Sequence, residues 1–187
     1  MEKKYSVAFQ PPQNGIDFVK TLKDSLCNEV GNFGSRNSVA HITICELIID
    51  ESAIDKIIVQ ISKVCGTFTP IHVNLNSFGS YPKVGAFYIA TNGESKDNLK
   101  AIMSKVQDAL RNFKIGKTDD PHMTIARRLT PENLNKASEL FNEIDIDILF
   151  DNIVLREYDP NKRQYVVIKT FPFGSNPQPE LIQGSLF

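Results

Sequence analysis

The chain has 187 residues, of which 41% are hydrophobic and 23% are charged, and its formal net charge is -1. This length suits one well-buried domain or two small lobes that share a core, and the composition is that of a globular protein. The longest apolar runs are far shorter than the roughly 20 residues that cross a bilayer, and the near-neutral charge argues against tight, non-specific binding to duplex nucleic acid.

The first third of the chain alternates the residue patterns of strands and helices. Strand formers and period-two alternation predict strands, and apolar residues at intervals of three and four predict helices. Gly31 and Gly66 stand where helices are predicted to end, a position that favours glycine. In chain order the prediction is strand, helix, polar loop, strand and helix: 4–10, 16–30, 32–37, 38–49 and 50–65.

The rest of the chain repeats these patterns. Thr130 and Pro131 are typical of a helix start, as cap and first residue. We interpret 115–120 as a loop, expect an irregularity in the long strand near Asp151, and expect a turn at 159–161. The predicted elements are a strand hairpin, a helix, a strand, a helix and two further strands: 71–78 with 84–91, 96–113, a strand from 122, 130–141, 144–158 and 164–171.

A comparable order of elements surrounds His41 and His122, because each follows a strand and a helix and precedes another helix. The two histidines are 81 residues apart. This repetition predicts two related lobes within one domain over residues 1–173, with no low-complexity linker between them. Residues 174–187 are predicted to be a poorly ordered C-terminal tail.

The N-terminus and the cysteines bear on the compartment. Residues 1–5 begin with charge and contain no apolar signal core, so we expect a cytoplasmic protein. The three cysteines, Cys27, Cys45 and Cys65, are odd in number and not closely paired. They therefore argue against a disulfide framework and a zinc cluster, and we interpret them as small buried apolar residues.

Two tetrapeptides share the pattern His-x-Thr-x: His-Ile-Thr-Ile at 41–44 and His-Met-Thr-Ile at 122–125. In a strand, residues i and i+2 point to the same face. His41 and Thr43 therefore share one face, as do His122 and Thr124, while the Ile and Met residues face the core. The third histidine, His72, has no threonine two positions later, and we interpret it as structural or exposed.

Two imidazoles on facing strands suit the cleavage of a phosphodiester. One neutral histidine can take a proton from the attacking water, and one protonated histidine can give a proton to the leaving oxygen, since the reference pKa lies near 6.5. The threonine hydroxyls can donate hydrogen bonds to the non-bridging oxygens. This arrangement requires neither a metal nor a cofactor. A single His-x-Thr recurs by chance, and its duplication carries the prediction.

The paired tetrapeptides resemble the signature of the 2H phosphoesterase superfamily, in the branch described as 2′-5′ RNA ligase-like or RNA 2′,3′-cyclic phosphodiesterase. The second motif is the closer match, because Pro121 precedes it and Arg127 and Arg128 follow. In the first motif Ala40 stands where the family often has proline. The order of elements is similar to the family's over about residues 3–173.

The resemblance implies an α+β, bilobal and pseudo-symmetric fold, with two antiparallel sheets that form a central cleft and helices packed outside. It implies His41 and His122 as the acid/base pair and Thr43 and Thr124 as phosphate-binding groups. Family members often line the cleft with basic or aromatic residues. Strand alternation from His122 predicts that Arg128 shares the catalytic face and binds phosphate, and that Arg127 points away.

Other basic and aromatic residues receive ordinary interpretations. Arg156 and Lys162 can contact phosphate but are interpreted as solvated charges. Tyr88 and Tyr158 are interpreted as packing residues, although either tyrosine can stack on a base. Phe9, Phe78 and Phe87 are assigned to the core.

Three functions remain open from the sequence. The first is a metal-independent phosphodiesterase that cleaves 2′,3′-cyclic phosphates or 2′-5′ linked RNA and nucleotides, with ligation as the reverse reaction of the same site. The second is a non-catalytic module that binds RNA ends or nucleotides in the same cleft. The third is a phosphoesterase for a substrate other than RNA. We expect RNA ends or a small nucleotide as the partner, no membrane association and a monomer.

Overall fold

A computed structural model of the chain describes residues 1–174, so the predicted tail lies, apart from Gly174, outside the described residues. Four α-helices and nine strands make up the described part. The strands are β1 (Glu2–Phe9), β2 (Ile42–Asp50), β3 (Ile71–Tyr81), β4 (Ala86–Thr91), β5 (Ile115–Lys117), β6 (His122–Ala126), β7 (Ile146–Phe150), β8 (Asn152–Asp159) and β9 (Gln164–Pro172). The helices are α1 (Gln13–Val30), α2 (Ile54–Cys65), α3 (Gly93–Ala109) and α4 (Pro131–Leu140).

Local sequence signals explain where the helices begin and end. Gly31 follows α1 with φ 75°, a positive value that glycine adopts without strain, and its N–H donates to the Cys27 carbonyl. The Thr130 side chain accepts from the Asn133 N–H ahead of Pro131, which confirms the predicted start of α4. No helix between residues 1 and 174 is both long enough and apolar enough to cross a membrane.

All strand pairs are antiparallel, and the sheet has the order β7-β3-β4-β6-β2-β1-β8-β9, with β5 paired to β2. The predicted α+β class is therefore confirmed. The two predicted sheets are one sheet, because β2 and β6 are joined through the single pair Ile42 and Met123. Outward from this junction, with β5 left aside, each half has four strands, which gives the sheet a two-fold pattern.

Each motif strand contains a bulge at the same place relative to its histidine. In β2 the pairing with β1 shifts so that Ile44 is the extra residue, and in β6 the pairing with β4 shifts so that Ile125 is the extra residue. A bulge places two consecutive residues opposite one and disturbs the alternation of side chains. Ile44 and Cys45 are consequently both buried, and so are Ile125 and Ala126.

Two differences from the predicted elements lie away from the motifs. The segment predicted as a loop contains the short strand β5, because Gly116 pairs with Glu46 on β2. The long strand predicted over 144–158 is two strands, β7 and β8, which separate at Asp151, where the predicted irregularity falls. The Asp151 carbonyl accepts from the Phe173 N–H, next to the pair of Asn152 on β8 and Pro172 on β9.

Candidate active site

The two motif histidines are held in the same way. Nδ1 of His41 lies 2.6 Å from the Val39 carbonyl oxygen, and Nδ1 of His122 lies 2.8 Å from the Asp120 carbonyl oxygen. In each case the acceptor is the residue two positions before the histidine. Because a carbonyl oxygen can only accept, Nδ1 carries the hydrogen in both rings, and Nε2 is left free to exchange a proton.

Two adjoining cavities bring the predicted site residues together. A cavity of about 760 Å³ is lined by His41, Thr43 and Thr124. A second cavity, of about 320 Å³, is lined by His122 and again by Thr43. Both histidines and both threonines therefore line two cavities that share Thr43, Glu46 and Arg127 in their walls.

Of the two arginines after the second motif, Arg127 is placed differently from the sequence prediction. Arg128 lines the larger cavity, but it lies beyond the end of β6 with a positive φ of 61°. Arg127 lines both cavities, so the expectation that it points away is wrong. The bulge at Ile125 is the physical reason, because it buries Ile125 and Ala126 together and returns Arg127 to the face of Thr124.

Arg156 on β8 was interpreted as a solvated charge, and this is wrong. Its side chain is only 6% exposed. Its guanidinium donates to Ser6 Oγ at 2.7 Å and lies 5.4 Å from the centroid of the Tyr165 ring. Burial lowers the pKa of Arg156 to about 10. The sequence holds no signal for this contact, since Ser6 and Arg156 lie on strands that only the fold pairs.

The larger cavity is strongly basic. Its lining contains six cationic side chains and one carboxylate, that of Glu46. The cationic residues are Arg36, Arg127, Arg128, Arg156, Lys162 and Arg163. A concave site with this excess of positive charge attracts phosphate, although the net charge of the whole chain is -1.

The environments of the two histidines differ in charge. Burial lowers the pKa of His41 well below its usual value, and the positive charge of Arg156 lowers it further. Burial also lowers the pKa of His122, but the Asp120 carbonyl and carboxylate act in the opposite direction. Both rings therefore favour the neutral form, His41 more strongly, and His122 has an anionic neighbour, Asp120, that favours its protonated form.

Two tyrosines and a charged pair surround His122. The Tyr88 ring lies 4.7 Å from the His122 ring and 4.7 Å from the Tyr81 ring, between centroids. The Tyr81 hydroxyl donates to the Asp120 carboxylate, which also accepts from Lys96 Nζ at 2.6 Å. Tyr88 is therefore a packing residue, as predicted, but it packs against the motif histidine. No spacing in the sequence points to Tyr81 or Lys96.

The polar loop at 32–38 forms one wall of the larger cavity. The buried Lys23 of α1 donates to the Ser35 carbonyl at 3.0 Å and to the Ser38 carbonyl at 2.6 Å. The Gly34 N–H donates to the Arg127 carbonyl at 3.2 Å, and a Cβ atom on Gly34 would lie 3.2 Å from the same oxygen. The loop is thereby fixed to α1 on one side and to the second motif strand on the other.

The remaining sequence interpretations concern residues outside the cleft. His72 is exposed and pairs with Asp147, in agreement with the prediction. Cys45 and Cys65 are buried, and Cys27 is half-buried. Phe9 and Phe87 belong to the core, and Phe78 packs against it. Within residues 1–174 no group of three or more His, Cys, Asp or Glu side chains is placed to hold a metal ion.

Comparison with known proteins gives a family and a fold. A family model described as the 2′-5′ RNA ligase superfamily matches residues 11–162. No curated protein matches the chain. Solved structures with the same fold include apo LigT of E. coli, with TM-score 0.70, 10% identity and coverage of 95% of this chain and 99% of that chain. TT0787 of Thermus thermophilus matches with TM-score 0.65 and 17% identity, over 91% of this chain and 98% of that chain. Usb1 of Kluyveromyces marxianus matches with TM-score 0.54 and 10% identity, over 91% of this chain and 98% of that chain.

Proposed function

Because the chain belongs to the 2′-5′ RNA ligase superfamily, we propose that it is a two-histidine phosphodiesterase that opens 2′,3′-cyclic phosphates at RNA ends or on nucleotides. One observation carries the proposal. Two His-x-Thr motifs lie on adjoining strands, with each Nδ1 bonded to a backbone carbonyl and all four motif residues lining two adjoining cavities, the larger of which is basic.

The proposed reaction begins at His41. Its neutral Nε2 takes a proton from a water molecule, and the resulting hydroxide attacks phosphorus. The bond from phosphorus to one ribose oxygen breaks, and Nε2 of protonated His122 gives that oxygen its proton. The product is a phosphomonoester next to a free hydroxyl. His41 ends protonated and His122 neutral, and exchange with solvent restores both.

The assignment of acid and base follows from the neighbouring charges. Arg156 opposes a proton on His41, and Asp120 favours one on His122. A base must be neutral and an acid must be charged at the start of the reaction. We therefore assign the base to His41 and the acid to His122 for the direction of hydrolysis.

Stabilisation of the phosphorane-like transition state falls to three donors. Thr43 and Thr124 carry hydroxyl groups on the cleft face, and Arg127 carries a guanidinium that lines both cavities. Donors aimed at the developing negative charge act most strongly in a site shielded from water. The guanidinium can bond two phosphate oxygens at once, which also fixes the orientation of the phosphate.

Nucleotide substrates are consistent with what the structural relatives hold. LigT of E. coli has been crystallised with 3′-AMP, at 10% identity to this chain. The basic lining of the larger cavity extends beyond the motif residues to Lys162 and Arg163. This extension suits further phosphates of an RNA end, and RNA should therefore bind with a steeper salt dependence than a mononucleotide.

A substrate panel tests the proposed function. We would incubate the protein with the four nucleoside 2′,3′-cyclic phosphates, cyclic-phosphate-ended RNA and 2′-5′ linked dinucleotides, with and without a chelator. We expect hydrolysis of the cyclic phosphates at equal rates in both conditions. Binding without any product after long incubation would favour a non-catalytic nucleotide-binding module, and activity that the chelator abolishes would contradict the two-histidine mechanism.

A further inference from the structure

Glu46 lies at the junction of three cavities. It lines the His41 cavity and the His122 cavity, and it lines a third cavity of about 540 Å³ that extends past β5 to Lys114 and Tyr165. The bulge at Ile44 returns Glu46 to the cleft face three residues after Thr43. A group attached to the phosphate at Thr43 and directed toward the third cavity would pass this carboxylate.

The negative charge of Glu46 contrasts with the cationic residues that line the rest of the larger cavity. It is the only acidic side chain in the lining of the larger cavity. Among residues 1–174 its carboxylate takes part in none of the ion pairs and none of the side-chain hydrogen bonds. A carboxylate there weakens the attraction for phosphate, and both of its oxygens remain available to accept hydrogen bonds.

An aromatic surface lies beside Glu46. Tyr165 lines both the larger and the third cavity. Its ring makes an edge contact with the Tyr158 ring, at 5.4 Å between centroids. The Arg156 guanidinium carbon lies over the Tyr165 ring, 5.4 Å from its centroid. Tyrosine rings in a basic groove are typical platforms for nucleobases, because every base can stack on them.

The distance along the strand fits one nucleoside. Glu46 lies three positions after Thr43 along β2, which corresponds to roughly 10 Å at the rise of a regular strand. A nucleoside whose cyclic phosphate lies between the histidines therefore brings its base to the level of Glu46 and the tyrosines.

We propose that Glu46 recognises the base of the nucleotide that carries the reacting phosphate, and that it selects guanine. Guanine presents two adjacent donors, N1–H and the exocyclic amino group, which match the two oxygens of a carboxylate. Adenine and cytosine present an amino donor beside a ring nitrogen that accepts, and uracil presents one N–H between two carbonyls. Each of these bases would place an acceptor against a carboxylate oxygen. This proposal rests on the proposed function of the same cleft.

Base preference is measured as kcat/KM on the four nucleoside 2′,3′-cyclic phosphates, for the wild-type protein and for Glu46→Gln. A good bidentate pair discriminates between bases by about tenfold or more. We expect the wild type to prefer the guanosine substrate by that factor. In Glu46→Gln the preference should fall to within about threefold, because an amide offers one acceptor and one donor. The matched control is Glu139→Gln, which removes the same charge from an exposed position on α4 and should keep the preference.

A second measurement separates base recognition from catalysis. Calorimetric binding of the four nucleoside 3′-monophosphates reports the preference even if the protein turns over no cyclic phosphate. Tighter binding of the guanosine compound to wild type, lost in Glu46→Gln, supports base selection whether or not hydrolysis occurs. Equal affinities or rates for all four bases, binding of none of them, or a Glu46→Gln variant that changes all four equally would overturn the proposal.

Discussion

Glu46 and Arg127 occupy equivalent positions, each three residues after the threonine of its motif, and both line the two cavities that contain the histidines. The two bulges create this relationship, because each removes one step from the alternation of side chains. The two halves of the sheet thus present the same histidine and threonine to the cleft but opposite charges beyond them. The two motif strands therefore share their geometry, but one offers a carboxylate and the other a guanidinium at the equivalent position.

Arg127 should contribute far more to the reaction than its neighbour Arg128. We expect Arg127→Ala to lower kcat/KM by about 10²- to 10³-fold, the usual cost of removing one donor to a developing negative charge. Arg128→Ala removes the same charge from a residue that lines only the larger cavity, and its effect should stay below about tenfold. Steady-state kinetics on both variants checks this order, and an equal loss in the two would place the phosphate elsewhere.

The rate should be greatest at acidic pH. The pKa of His41 lies well below its usual value, so the base is already neutral under mildly acidic conditions. The pKa of His122 is lowered too, so the acid loses its proton as the pH rises toward neutrality. We therefore expect kcat/KM to begin to fall at a pH below about 6.5, the ordinary histidine pKa, and to keep falling above it. A plateau that extends to pH 8 would contradict the assignment of His122 as the acid.

The Asp120 carboxylate should set the pH at which kcat/KM falls, the alkaline limb of the pH profile. It raises the pKa of His122, so Asp120→Asn should lower this pKa and move the limb to lower pH. The hydrogen bond that Nδ1 of His122 donates to the Asp120 backbone carbonyl is retained in the variant. The control is Asp119→Asn, which removes an exposed carboxylate one residue away and should leave the profile unchanged. A lower rate in Asp120→Asn with an unshifted profile would indicate a structural role only.

Lys23 should stabilise the fold through the loop at 32–38. Lys23→Met leaves the Ser35 and Ser38 carbonyls without their buried donor, and we expect the free energy of unfolding at pH 7 to fall by about 1–3 kcal/mol. Urea unfolding measures this, and Lys20→Met, on the exposed side of the same helix, should have little effect.

The same lysine gives a pH signature with a definite sign. Its pKa is lowered to about 8 in the folded protein from 10.5. Between these values the unfolded chain holds the proton and the folded protein has lost it, so stability rises with pH across this window. The stability difference between wild type and Lys23→Met should therefore widen from pH 8 to pH 10.5. A constant difference would show that Lys23 keeps an ordinary pKa in the fold.

Strand alternation was sufficient to predict which side chains share a face only up to the bulges. It put His41 with Thr43 and His122 with Thr124, since each pair is two residues apart, and these four residues line the two adjoining cavities. It failed at Arg127, because the extra residue at Ile125 depends on pairing with β4. Arg156 and Tyr81 were missed for a related reason, since their partners are distant in sequence and only the fold brings them together.

The most direct test of the two-histidine mechanism is the rate of cyclic-phosphate hydrolysis in variants that keep their fold. We expect His41→Ala and His122→Ala each to lose about 10²- to 10⁴-fold in rate, and the double variant to lose little more than the single ones. His72→Ala, an exposed histidine paired with Asp147 outside the cleft, should retain wild-type activity. A double variant that is folded and still hydrolyses the substrate within about tenfold of wild type would contradict the mechanism.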